Sequence, residues 1–387
     1  MAIKREMVST TAVMETQFAE QFREFIAGVS NGVERKLREK AFAAFAMSGF
    51  PTMRHEDWKY TNISSVVSDK WLVTSGRNAV VSDVDAKFLN KFNLDRNGFT
   101  ALNLAFADFK IVRIPKETNV AEPIELHFAA DENTAIFPHV LVIAEAGSRA
   151  TFVESYASTE KGFTNSAVQV IVEDNANLTH YRVQKDAQHA FNIGTTEVSL
   201  GAGSRYDSTN INLGGAISRH DIDLKFTAAG GEAFVDGLYM LDGTQHHDTH
   251  SIIDHQLPNC ISHQTYKGVL NDTSRGVFNG KVFVRENAHG TDAQQSNKNL
   301  LLSDTARVDT KPQLEIFNDD VKCSHGATVG QLEEEELFYL LTRGLPRILA
   351  KNLLTYGFAE EVINKIEIES IKKDLDATVL NRLGAEI

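Results

Sequence analysis

Lys322, Cys323, Ser324 and His325 place an ammonium, a thiol, a hydroxyl and an imidazole in four consecutive positions. Cys323 and His325 are two apart, so on an extended backbone they project to the same side. Thiolate and imidazole are ligands that iron–sulfur chemistry uses. Lys322 next door is expected to lower the thiol pKa by favouring the thiolate. Two ligands do not hold a cluster alone, because four are the norm. The missing ligands must come from a partner, so the pair points to an interface.

A second concentration of ligand-type residues is HHDTHSIIDH, residues 246–255. His246, His250 and His255, with Asp248 and Asp254, are candidate ligands of a mononuclear metal, the mark of a metal-dependent β-helix or cupin-like enzyme. The competing reading is structural, with side chains stacked on successive coils and hydrogen-bonded to one another. Strand alternation favours the structural reading, since His246 and His250 share one face while His247 and His255 share the other. Cys260, in the apolar turn Leu257-Pro258-Asn259-Cys260-Ile261, is expected to be an inert buried thiol. Gly276-Val277-Phe278-Asn279-Gly280-Lys281-Val282 mimics a P-loop, but it is one residue short and Val282 replaces the Mg²⁺-binding hydroxyl. The chain has no HExxH, no GxSxG and no dinucleotide fingerprint, so it is read as non-enzymatic, with no tightly bound metal in the isolated chain.

The elements that must position these residues change character along the chain. Residues 15–47 show a helical face through Phe18, Phe22, Phe25, Ile26 and Val29, interrupted at Ser30-Asn31-Gly32 and resumed by Val33, Leu37, Ala41 and Phe45. Gly49-Phe50-Pro51 stops it. Arg54 to Tyr60 reads as a loop pinned by Trp58 and Tyr60 and cross-linked by ion pairs, and residues 83–108 as mixed connecting structure. From about Phe109 short strands take over, clearest where Ile222, Leu224 and Phe226 alternate with Asp221, Asp223 and Lys225. Small polar turns recur, starting at Ala146, Asn175, Ala202, Ala229, Asp272 and Asp304, with one long interval between the fourth and fifth. Strands and turns without intervening helices indicate a stacked β architecture, and a β-helix fits better than a propeller, whose period would be more even.

The segment 311–344 closes that region. A strand through Leu314 and Ile316 turns at Asn318-Asp319-Asp320, Gly326 and Gly330 loosen the backbone, and Glu333 to Glu336 open a helix. Helical faces return through Leu337, Leu341, Ile348, Leu353, Ile363 and Leu375. They carry more apolar side chains than so short a bundle buries alone, which leaves them to dock a partner or to pack on the β body.

At 387 residues more than one structural unit is expected. The net charge of −13, without a basic cluster, argues against nucleic acid and anionic membranes. Two cysteines form no disulfide framework. The N-terminus lacks an apolar leader core and no apolar run spans a bilayer, so the chain reads as cytoplasmic.

The stretch DDVKCSHGATVGQL followed by LFYLLTRG resembles the C-terminal signature of the SufB/SufD family of iron–sulfur scaffolds. The likeness continues in SDTARVDTKPQLEI (303–316), QTYKGVLNDTSRGVFNGKVFV (264–284), DTHSIIDHQLPN (248–259) and RHEDWKYTNI (54–63). The SufB branch is expected to carry a cluster-building cysteine upstream, and nothing between Val269 and Asp320 supplies one, so the chain is more similar to the sister branch. The resemblance implies a mainly β fold: a right-handed parallel β-helix core (109–328) flanked by a helical N-terminal domain (1–108) and a helical C-terminal domain (329–387) that docks an ATPase. It implies a non-catalytic scaffold with the SufB subunit and the SufC ATPase as partners, and a homodimer as the possible state of the isolated chain. A transient iron–sulfur cluster would form at the partner interface. His325 is the first candidate ligand there and Cys323 the second.

Overall fold

The computed structural model describes residues 17–74 and 81–384. The expected helix start at Glu15 and the leaderless reading of the N-terminus therefore fall outside the described residues. Among the described residues the strands form two all-parallel sheets of ten and eight strands, with non-consecutive strands as neighbours, and from Asp108 to Gly330 no helix lies between them. This is a parallel β-helix. The first sheet stacks Phe163–Val172, Phe191–Leu200, Ile217–Phe226, His246–His255, Arg275–Val284 and Arg307–Ile316. The second stacks Arg149–Tyr156, Asn177–Gln184, Arg205–Asn212, Glu232–Leu241, Ile261–Leu270, Thr291–Leu301 and Val321–Gly330.

The long interval in the turn series has a geometric cause. Gly147, Asn175, Gly203, Gly230, Asn259 and Gly290 all have positive φ and lie at one corner of the coil, about one every 28 residues. They are joined by backbone bonds such as Asn175 N to Ala202 O at 2.8 Å and Gly230 N to Pro258 O at 3.1 Å. The turns at Asp272 and Asp304 belong to the opposite corner, where Thr273 N donates to Gly243 O. The sequence series thus changed corners midway and skipped Asn259 and Gly290.

The interior follows from strand alternation. Side chains such as Val168, Val198, Ile222, Leu224, Phe226, Val235 and Val282 fill the lumen as one apolar cluster. Glycines admit its largest members. A Cβ on Gly268 would lie 2.3 Å from the Tyr239 ring, and one on Gly237 would lie 2.1 Å from the Tyr266 ring.

Helices flank this body. Gln17–Ala27 and Val33–Ser48 match the interrupted face read from sequence, and Gly49 follows with φ 61°. Residues 83–108, read as connecting structure, contain the helices Asp83–Leu89 and Gly98–Phe106, each opened by a capping box on Ser82 or Asn97. All nine residues of the second are buried. It shows no amphipathic stripe because every side faces protein, which hid it from a periodicity reading. Together these helices pack on the outer face of the first sheet through Phe106, Phe137, Phe163 and Phe191.

Glu334–Thr342, Arg347–Ile363 and Glu369–Arg382 form the C-terminal helices. Their inner face (Ala359, Val362, Ile363, Ile366, Leu375, Val379) packs on Tyr181, Leu213, Leu238, Met240 and Val269 of the second sheet. Their outer face leaves Phe338, Tyr339, Ile348, Leu349 and Leu353 exposed. The packing reading of the apolar excess therefore holds for the inner face, and the outer face is exposed. No described helix is long and apolar enough to cross a membrane.

Candidate functional site

The Lys322–His325 run lies on the last strand of the second sheet, Val321–Gly330, which among the described residues pairs only with Thr291–Leu301. The last strand of the first sheet, Arg307–Ile316, likewise pairs among the described residues only with Arg275–Val284. These two strands form the open end of the β-helix. The turn at 318–320 occurs where the sequence places it, but Gly326 does not break the strand, which runs through it and ends at Gly330. A side chain on Gly326 would meet nothing within 4 Å.

Cys323 and His325 do share a side. Cys323 is in register with Ala293 and His325 with Gln295, and Ala293 and Cys323 belong to the lumen cluster. Cys323 is half-buried and His325 is exposed. The expected depression of the thiol pKa does not occur: burial pushes the Cys323 thiol up, and the Asp292 carboxylate adds to the shift. Lys322 is the adjacent residue on an alternating strand, so it projects to the other face and leaves the thiol without a cation. Cys323 is therefore a largely protonated thiol until something else takes its proton.

Inside the lumen a short amide column leads to His325. Ser251 Oγ and the Gln264 amide are joined at 2.9 and 3.1 Å, and Gln295 Nε2 donates to Gln264 Oε1 at 2.8 Å. Sequence reading passed over these glutamines. Their signal is that Gln264, Gln295 and His325 recur at the coil period, which only the register makes visible. A depression of about 550 Å³ at this end is lined by His325 with Gln264 and Gln295, and by Ser324, His263 and Lys365. Lys365 reaches it from the C-terminal helices and pairs with Asp236 at 2.6 Å.

HHDTHSIIDH is one unbroken strand, His246–His255, whose side chains are separately engaged. Asp248 pairs with Arg219 at 2.5 Å and His250 at 3.1 Å, and accepts from Thr61. Burial opposes ionisation of Asp248, but Arg219 and then His250 hold its carboxyl far below the usual range. His246 contacts Thr61 Oγ1 at 2.9 Å, His247 sits between Ser218 and Thr249, and His255 contacts Ser262 at 2.8 Å. Burial pushes His247 down to about 3 and His255 down to about 4. Among the described residues no group of three or more His, Cys, Asp or Glu side chains is arranged to hold a metal.

These side chains instead meet RHEDWKYTNI. The Arg219 guanidinium lies 3.8 Å from the Trp58 ring and donates to Asp57 O at 2.8 Å, while Glu56 pairs with Lys311 at 3.3 Å. The two motifs are the halves of a clamp between the N-terminal helices and the first sheet.

Comparison with known proteins adds an independent line. Residues 127–358 match the family model described as SUF system FeS cluster assembly, SufBD core domain, and residues 12–92 match the SufBD protein N-terminal region. An iron–sulfur cluster assembly SufBD family protein of Synechocystis is 36% identical over 74% of this chain, which spans 66% of that relative's length. The Escherichia coli iron–sulfur cluster assembly protein SufD is 30% identical, with 87% of this chain and 90% of the relative covered. The Bacillus subtilis protein of the same name is 30% identical, with 77% and 70% covered.

Proposed function

The chain belongs to the SufB/SufD family of iron–sulfur cluster assembly proteins, and from that premise we propose that it is a non-catalytic scaffold subunit that pairs with SufB and binds the ATPase SufC. The observation that carries this reading is the open end of the β-helix. Two parallel strands there present unpaired backbone edges and the exposed side chains of Ile316, Phe317 and Val329. An uncapped solenoid end is a template for strand pairing and is ordinarily covered. His325 and Cys323 lie on that edge, so a partner that pairs with it brings its own ligands beside them. Gly326 leaves room for a close backbone.

The nascent cluster is cargo, held only while the complex is assembled. His325 contributes a neutral imidazole nitrogen. Cys323 contributes a weaker second ligand, because its thiol must first lose a proton that burial retains. The isolated chain holds no cluster tightly, and its open end gives it a second copy of itself as an alternative partner. SufC docks on the exposed apolar face of the C-terminal helices. Those helices are pinned to the second sheet by Lys267 with Glu361 and by Lys365 with Asp236. Lys365 lines the same depression as Ser324, so movement of the helices is felt at the cluster strand. The proposed location is the cytoplasm, where thiols stay reduced.

The test is cluster yield, read by visible absorbance and iron content, in complexes assembled with SufB and SufC. His325→Ala is expected to lower it while folding and both partner contacts persist, with Cys323→Ala lowering it less. Wild-type yield with His325→Ala overturns the assignment.

A further inference from the structure

Positions in the lumen stack coil upon coil, and the row that ends at His325 runs Val235, Gln264, Gln295, His325 in register. Its two amides form a ladder with a direction: Gln295 Nε2 gives its proton to Gln264 Oε1, and Gln264 Nε2 gives one to Ser251 Oγ. Gln264 Oε1 also accepts from Ser251 Oγ at 3.1 Å, so along this row the carbonyl oxygen still open to the next rung is that of Gln295. The Gln295 amide is fixed at its far end as well. It lies against Gly280 of the facing sheet, where a Cβ would stand 2.2 Å from its Nε2 and 3.0 Å from its Oε1. Gln295 is 3% exposed, and its Oε1 has no hydrogen-bond partner among the described residues. A buried, oriented carbonyl oxygen without a donor is unfavourable unless a donor is supplied. The next rung is His325, one strand spacing of about 4.8 Å away and on the same face.

We propose that Gln295 is a positioning residue for His325, its Oε1 accepting the imidazole N–H so that the amide ladder ends in a histidine rung. The proposal rests on the reading of His325 as an iron ligand. One ring nitrogen then carries its proton inward, and the other is left with its lone pair facing the open end. A hydrogen bond of this kind selects the tautomer and the ring plane of a metal-binding histidine, and losing such a partner usually costs about ten- to a hundredfold in metal affinity or activity. The ladder also explains the close approach at Gly280, since any side chain there would push the Gln295 amide off its partner.

Three measurements test it. In the full chain labelled with ¹⁵N-histidine, His325 is expected to show a ring N–H resonance protected from solvent exchange. That resonance is lost in Gln295→Leu. In complexes with the scaffold partner and the ATPase, Gln295→Leu is expected to slow cluster formation on the order of tenfold, with His325 still in place. Should Gln295→Leu fail to fold, His325→Gln and His325→Ala are compared with Gln295 intact. Glutamine restores a donor to the Gln295 oxygen, so its thermal midpoint is expected to exceed that of the alanine variant, although neither assembles clusters normally. A missing ring N–H resonance, one that survives Gln295→Leu, or equal midpoints for the two His325 variants overturns the ladder. Wild-type cluster formation by His325→Ala overturns the ligand assignment instead, whatever the resonance shows.

Discussion

Removing the Asp248 carboxylate tests whether the two stretches around Trp58 and His250 are a clamp or a site. In Asp248→Ala the Arg219 guanidinium, 2% exposed, loses its partner at 2.5 Å. Leaving one member of a buried ion pair uncompensated costs about 3–5 kcal/mol. The lower end applies here, because Arg219 keeps Asp221 at 2.8 Å, the Asp57 carbonyl and the Trp58 ring. A loss of about 3 kcal/mol corresponds to roughly 6 °C in the thermal midpoint, at about 2 °C per kcal/mol for a large chain. The assay uses the positions of the two tryptophans. Trp58 and Trp71 both belong to the cluster that joins the N-terminal helices to the first sheet, so fluorescence reports that junction while far-UV circular dichroism reports the β body. The fluorescence midpoint is expected to fall by the full amount and the dichroism midpoint by less. The pH dependence carries a sign. Asp248 has a depressed pKa in the folded state, so its contribution is complete above the unfolded value of about 3.9 and is lost as pH falls below it. The gap between wild type and Asp248→Ala should be constant from pH 5 to 8 and narrow in more acid solution. A gap of under about 1 kcal/mol at pH 7, or one that widens towards acid, refutes the clamp.

Two further outcomes follow from the same geometry. Leu349→Glu, on the exposed outer face of the C-terminal helices, should abolish ATPase binding in a pull-down while leaving the thermal midpoint within about 1 °C, as surface changes usually do; full binding would move the contact elsewhere. Gly268→Ala should destabilise by about 3 kcal/mol in urea unfolding, because the new Cβ meets the rigid Tyr239 ring at 2.3 Å and Asn299 Oδ1 at 2.5 Å, whereas Gly326→Ala, with nothing within 4 Å, should change stability by less than about 1 kcal/mol.

Much of this protein was determined by local pattern. Period-two alternation in 220–226, the first four turns of the series and the helical faces from Phe18 and from Leu337 each depend on neighbours a few residues apart, so the chain order alone carried them. The common side of Cys323 and His325 follows in the same way from an extended backbone. Other features required the coils to be stacked. The thiol pKa rises because lumen packing and Asp292 surround Cys323, neither of which is adjacent in sequence, while the adjacent Lys322 faces away. Trp58 meets Arg219 across about 160 residues of chain, and Gln295 comes into register with His325 only through coils set one at a time. The buried helix Gly98–Phe106 was invisible to periodicity because it has no solvent face. Local periodicity encodes which face of an element is apolar. Which groups share a layer is decided by coil length summed over many turns, and a one-residue change there would bring a different side chain under His325.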